Sequence, residues 1–246
     1  MRMSGCLSVA RTCRCPWATG VFVVSAALAG CSASPAVMHD LEPAAEPVVR
    51  ALRAADAPAF DDLVRRLAAD GVPEEMPLRF HARLRAGVVP KFVPLASDEA
   101  IRDYVRVTIT ELHELRAASY YRCFSFLFGE RTDEAEQVRL EATLSPATRA
   151  AGLGAIARLI ESSEAIPVSV DEEAVWRTLD NRIVPVLPPW LGERTMVLRD
   201  ARARDLDRVA ACEVTLAVYE AIVDLPSPEG PLVMRYMLAR QLMAGL

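Results

Sequence analysis

The chain has 246 residues, of which 52% are hydrophobic, 25% charged and only 6% aromatic. That allows one domain or two small ones, with enough apolar content to exclude wholesale disorder. A formal charge of −5 gives no electrostatic footprint for nucleic acid, and six cysteines are too few for a disulfide-dense scaffold.

Residues 1–30 contain Arg2, Arg11 and Arg14 and no acid, and an apolar run extends from Pro16 to Gly30. A basic start, a short apolar stretch and small residues after it form the pattern of a secretory signal peptide. The run is roughly 15 residues, short of the ~20 that span a bilayer, so a retained anchor helix is the weaker alternative. At its end stands Leu28-Ala29-Gly30-Cys31. This tetrapeptide resembles the lipobox of bacterial lipoproteins, over residues 1–34 only. The resemblance implies a diacylglyceryl group on the Cys31 sulfur, cleavage just before Cys31 and acylation of the new amino group. It also implies a membrane partner held through lipid, with Ser32 in place of Asp favouring the outer over the inner membrane. The rival reading is an ordinary signal peptide cut at an Ala-x-Ala-like site. Two or more acyl chains anchor firmly, at ~0.8 kcal/mol per buried methylene. Loss of residues 1–30 leaves 25 basic and 33 acidic residues, a charge of −8, so no polybasic patch assists the lipid.

Residues 31–45 are expected to be the lipidated cysteine and a tether, and 46–246 a helical domain. Over 46–70, Val48, Val49, Leu52, Phe60, Leu63, Val64 and Leu67 recur at helical spacing, with Pro58 splitting the run in two. A short helix follows at about 74–86, and Val88–Leu95, with Pro90 and Pro94, is predicted to be extended. Ser97 with Asp98 and Glu99 opens the clearest helix, 97–118, whose stripe is Ile101, Tyr104, Val105, Thr108, Leu112 and Leu115. The segment continues to Gly129 with five of the twelve Tyr and Phe residues, an expected core cluster. Glu130–Gln137 is a charged loop or helix start. Ser145-Pro146 starts a helix to about Ser163, and Asp171 another through Ile183. Arg204–Val223 is predicted as one long helix, and Ser227-Pro228-Glu229 caps the last. Thr195–Leu198 is the sole strand candidate. The expected fold is all-α, a bundle of roughly seven or eight helices without a readable repeat.

Cys6, Cys13 and Cys15 lie in the segment to be removed, and Cys31 carries the lipid. Cys123 and Cys212 remain, an even pair in a chain directed to an oxidising compartment, so a disulfide closing nearly ninety residues is expected. The alternative is two free, buried thiols. His113-Glu114 lacks the second histidine of a zinc-protease helix, because residue 117 is Ala, and His39 and His81 have no partner at ligand spacing. Gly152 and Gly154 lie in a helical pattern and suit close helix packing, not a dinucleotide turn. Glu134 with Glu136, Glu161 with Glu164, and Asp171 with Glu172 and Glu173 read as solvated helix starts.

No catalytic, metal or cofactor motif emerges. The last helix is distinctive, with Leu232, Val233, Met234, Tyr236, Met237, Leu238, Leu242 and Met243 covering most of its circumference. It is either central to the bundle or a partner surface built on Met234, Met237 and Met243. The leading expectation is a non-enzymatic, lipid-anchored periplasmic protein that binds a protein partner in the envelope. A carrier or sensor for a small apolar ligand would need a Met- and aromatic-lined cavity, and an envelope hydrolase two acids facing each other in a cleft.

Overall fold

The computed structural model of the protein describes residues 41–70, 73–129 and 133–243. Its helices are α1 (Glu46–Ala55), α2 (Ala57–Asp70), α3 (Met76–Arg83), α4 (Val89–Phe92), α5 (Asp98–Ala118), α6 (Tyr120–Phe128), α7 (Glu134–Thr143), α8 (Pro146–Glu161), α9 (Glu172–Thr178), α10 (Pro189–Gly192), α11 (Ala201–Leu206), α12 (Arg208–Val223) and α13 (Glu229–Met243). Among the described residues there is no strand, and the fold is all-α.

Helix α5 is the hub. It packs against α6, α7, α8, α12 and α13, and the stripe Ile101, Tyr104, Val105, Thr108, Leu112, Leu115 is buried as its spacing requires. Ser97 Oγ accepts the Ala100 backbone N–H, which fixes its start. Two further pairs complete the layers, α1 on α8 and α3 on α7. Helix α12 is buried nearly all round, through Ala210, Val214, Leu216, Val218, Tyr219 and Ile222. The side chains of Asp133, Ser145, Asp171 and Asp207 each accept a backbone N–H one turn on, at the starts of α7, α8, α9 and α12.

The helices outnumber the seven or eight expected, because long runs are subdivided. The 204–223 run breaks at Asp207, whose backbone leaves the helical region (φ −131°, ψ 76°) and whose carboxylate caps α12. Thr195–Leu198 is a 3-10 turn, not a strand. The body begins before residue 46: Leu41 and Ala44 pack on the core and Ala45 is buried. The predicted extended stretch 88–95 is also helical. Leu84–Val88 forms a π-helical turn, in which the Val89 N–H reaches back to the Leu84 carbonyl, and α4 follows directly. Pro90 supplies the reason. Proline has no N–H and its ring clashes with the carbonyl four residues back, and a widened turn relieves both. The same device recurs at Leu179–Ile183, before Pro185, where the Val184 N–H reaches the Leu179 carbonyl. Both sites read Leu-x-x-x-x-Val-Pro in the sequence.

The last helix is a core element. Met234 is fully buried and Met237 is 6% exposed, so neither offers a partner surface; the side chain of Met243 lies outside those described. Within the same helix Arg235 is buried. It donates to Asp98 Oδ1 at 2.7 Å and to the Ala96 carbonyl, joining α13 to the start of α5. Met237→Asp places an unpaired carboxylate in this core, at a cost on the order of several kcal/mol. Loss of helical circular dichroism at 25 °C is the expected result, and a folded variant would contradict the central placement.

Cys123 and Cys212 form a disulfide between α6 and α12, with Cα atoms 5.8 Å apart and 89 residues of separation. Loop closure of that length stabilises the fold by roughly 4–5 kcal/mol relative to the open chain. Denaturant melts of Cys123→Ala/Cys212→Ala against the oxidised protein should therefore show a lowered midpoint, with a steeper slope because the open unfolded chain exposes more surface.

Candidate functional site

The described body contains a buried charged centre that the sequence patterns did not reveal. Arg85 lies in the π-helical turn after α3, 1% exposed, and its guanidinium contacts three helices. Nε donates to Glu141 Oε1 on α7 at 2.6 Å, Nη2 donates to Glu111 Oε1 on α5, and Nη1 reaches Tyr104 Oη at 3.5 Å. The Phe126 ring of α6 closes another side, its centroid 5.2 Å from the guanidinium carbon. His81, one helical turn before Arg85, places Nδ1 3.6 Å from Glu141 Oε2. Helix α8 completes the enclosure at Gly152. A Cβ there would stand 3.0 Å from Glu111 Oε1 and 3.2 Å from Arg85 Nη2, so glycine makes room for the ion pair.

Two carboxylates share one guanidinium, which leaves the buried centre one negative charge in excess when both are ionised and His81 is neutral. The two acids respond differently. Burial pushes Glu111 up to about 7; the Glu141 and Glu114 charges add to the effect and Arg85 opposes it. Burial also acts to raise Glu141, but Arg85 and His81 outweigh it and hold that carboxyl below its ordinary range. Glu111 Oε2, Glu141 Oε2, His81 Nε2 and Gln137 Nε2 are buried without a hydrogen-bond partner among the described residues.

One turn along α5, Glu114 ties down the start of α8. Its carboxylate accepts the Ser145 N–H at 2.7 Å, the Ser145 hydroxyl at 2.9 Å and the Thr148 hydroxyl at 2.6 Å. Burial works against its ionisation, yet these hydrogen bonds lower its pKa.

The residues considered from sequence lie elsewhere. Glu134 pairs with Arg79 and Arg83, Glu136 with Arg139, and Glu173 with Arg177, while Asp171 caps α9. His113 is exposed and hydrogen-bonds Glu220 at 2.8 Å. No group of three or more His, Cys, Asp or Glu among the described residues is placed to hold a metal. Cys31 and His39 fall outside the described residues. Cavities of about 460 Å³, between Leu63, Ala82, Gly87 and Gln137, and about 520 Å³, between Val175, Asn181 and Leu232, are lined by small, aliphatic and polar groups, without methionine or aromatic rings.

The aromatic segment divides between interior and surface. Phe124, Phe126 and Leu127 are buried with Cys123, whereas Tyr120 and Tyr121 are exposed. Arg204 of α11 lies over the Phe128 ring at 4.9 Å, and Arg208 of α12 over Phe124 at 5.1 Å and Tyr121 at 5.9 Å. Phe124 and Phe128, one turn apart, have ring centroids 5.5 Å apart, which makes the arrangement continuous. A second cluster stacks Arg199 at 4.4 Å and Arg240 at 5.8 Å on Trp176, itself edge-on to Tyr236. Burial lowers the Arg204 pKa, the positive charge of Arg240 lowers it further, and Asp205 and Asp200 act in the opposite sense.

No protein family, curated protein or solved structure matches this chain.

The buried centre has a measurable pH signature. Glu111 holds its proton more tightly in the fold than in the unfolded chain. The unfolded state therefore binds fewer protons between the ordinary glutamate range and about 7, and stability falls as pH rises through that window. Relative to Glu111→Gln, which does not titrate there, the protein should lose on the order of 1–3 kcal/mol between about pH 4.5 and about pH 7. Urea melts of both proteins across that range check the sign; parallel curves would contradict it.

Proposed function

We propose that the protein is a lipid-anchored, non-enzymatic component of a bacterial cell envelope whose helical body binds a protein partner. The lipobox-like Leu28-Ala29-Gly30-Cys31 supports the anchor, and no helix among the described residues is long and apolar enough to cross a membrane. A disulfide between the two cysteines of the body fits an oxidising compartment.

The observation that carries the binding reading is the exposed face where α6 meets α11 and α12. There Tyr121, Leu206 and Val209 lie open to solvent beside arginines already stacked on rings. Aromatic residues and arginine are enriched in protein interfaces, and here they gather on adjoining helix ends. The facing acids a hydrolase needs do not open to solvent: Glu111 is 0% exposed and Glu141 is enclosed with it around Arg85. The two cavities lack the methionine and aromatic lining that would favour a carrier.

Cys31→Ser tests the anchor. The parent chain should fractionate with membranes and carry acyl mass on an N-terminal Cys31, whereas the variant should yield unprocessed precursor or soluble protein. A mature parent N-terminus at any other residue would remove the anchor from the proposal.

A further inference from the structure

We infer that the face formed by α6, α11 and the start of α12 docks an acidic, apolar-interspersed segment of a partner protein, with its carboxylates on Arg204 and Arg208. The inference deepens the partner-binding reading and rests on it. Three observations carry it.

The first is charge. The chain is net negative, and most of its described arginines sit in ion pairs, among them Arg116 with Glu213 and Arg194 with Asp207 beside this face. Arg204 and Arg208 have no carboxylate at salt-bridge distance among the described residues; their guanidinium groups lie on rings instead. Burial lowers the Arg204 pKa and the Arg240 charge lowers it further, while Asp205 and Asp200, neither at salt-bridge distance, act in the opposite sense. Two guanidinium groups without a carboxylate partner on an otherwise ion-paired, acidic body complement an anionic partner.

The second is orientation. Cation–π attraction holds each guanidinium beside a ring without using up its N–H donors, which stay available to a carboxylate. Phe124 and Phe128 hold the two groups at neighbouring positions, and the Cys123–Cys212 disulfide ties α6, which carries both rings, to α12, which carries Arg208. Cys123 precedes Phe124, and Cys212 follows Arg208 by one helical turn, so the bond clamps the Arg208–Phe124 contact from below.

The third is apolar exposure. Leu206, 79% exposed, stands at the junction of α11 and α12 between the two arginines, with Val209 and Tyr121 also open. A partner supplying carboxylates alone would leave these side chains in water, so a peptide alternating acids with leucine-like residues fits better than a free phosphate. A bilayer rich in anionic lipid is disfavoured by the overall negative charge of the chain.

The test uses the full chain in detergent micelles and a fluorescent peptide of about 15 residues repeating Glu-Glu-Leu, with its Gln-Gln-Leu counterpart as reference. Fluorescence anisotropy should show the acidic peptide binding about tenfold or more tightly than the reference, weakening from about 50 to about 300 mM salt. Arg204→Gln/Arg208→Gln should remove that preference with circular dichroism unchanged. Arg204→Lys/Arg208→Lys should retain part of it, because charge remains while the guanidinium fork is lost, and Arg50→Gln/Arg177→Gln should leave it intact. Equal binding of the two peptides, or an unchanged preference in the Arg204→Gln/Arg208→Gln protein, overturns the inference. So does Arg204- and Arg208-dependent binding to phosphatidylglycerol vesicles without peptide binding, which would mark a membrane contact. A photo-crosslinking residue at Tyr121 separates the two levels: adducts with a defined envelope protein preserve the partner-binding reading when the peptide fails, and their absence removes both.

Discussion

Arg85 is the point on which the described body turns. One guanidinium in a π-helical turn engages a carboxylate from α5 and another from α7, over an aromatic ring from α6. Removing charges from water is expensive, and an ion pair of this kind adds little net stability compared with a well-packed apolar group. Its effect is on selection among arrangements. Any register that moves the turn carrying Arg85 leaves two buried carboxylates without their cation, and one that moves α7 alone separates Glu141 from it, whereas an apolar contact at the same place would tolerate the slide. Gly152 on α8 accommodates this centre by the absence of a side chain, and the widened turn that Pro90 imposes carries Arg85 into it.

Around that centre the other polar contacts repeat one pattern, in which a side chain from one helix satisfies the terminus of another. Glu114 of α5 satisfies the start of α8, and Arg235 of α13 reaches the carbonyl just before α5. Arg102 of α5 donates to the carbonyls of Val223 and Leu225, at and beyond the end of α12. Helix ends carry backbone groups without intrahelical partners, so many short helices need many such connections. The polar residues interrupting otherwise apolar helices are the means by which this subdivided bundle joins its ends.

The all-α class, the caps at Ser97, Ser145 and Asp171, and the buried stripe of α5 were legible because each is a local signal: helical spacing, a capping side chain, an acid near an N-terminus. The cysteine pair was legible from its even number. The Arg85 centre was not, because its members lie 26 and 56 residues apart and each alone resembles an ordinary surface charge. The one available cue was position: Glu111 falls directly before Leu112 within the apolar stripe, where a solvated acid does not belong. Prolines misled in the other direction. Pro90 and Pro94 suggested extended chain, while the helix continued through a π turn. Met234 and Met237 were compatible with either core or surface by composition, and only the packing of α13 against α5, α9 and α12 decides between them.

The disulfide makes the stability of this body depend on its surroundings as well as on its sequence. In a strongly reducing solution the two thiols part, and α6 and α12 keep only their noncovalent contacts; in an oxidising one the same chain gains a closed loop of 89 residues' separation. The polypeptide is therefore two materials, a softer one where thiols are kept reduced and a firmer one where they are not. Cys123 and Cys212 thus tie a change of mechanical state to the redox poise of the surrounding solution, with no change in sequence or bound group.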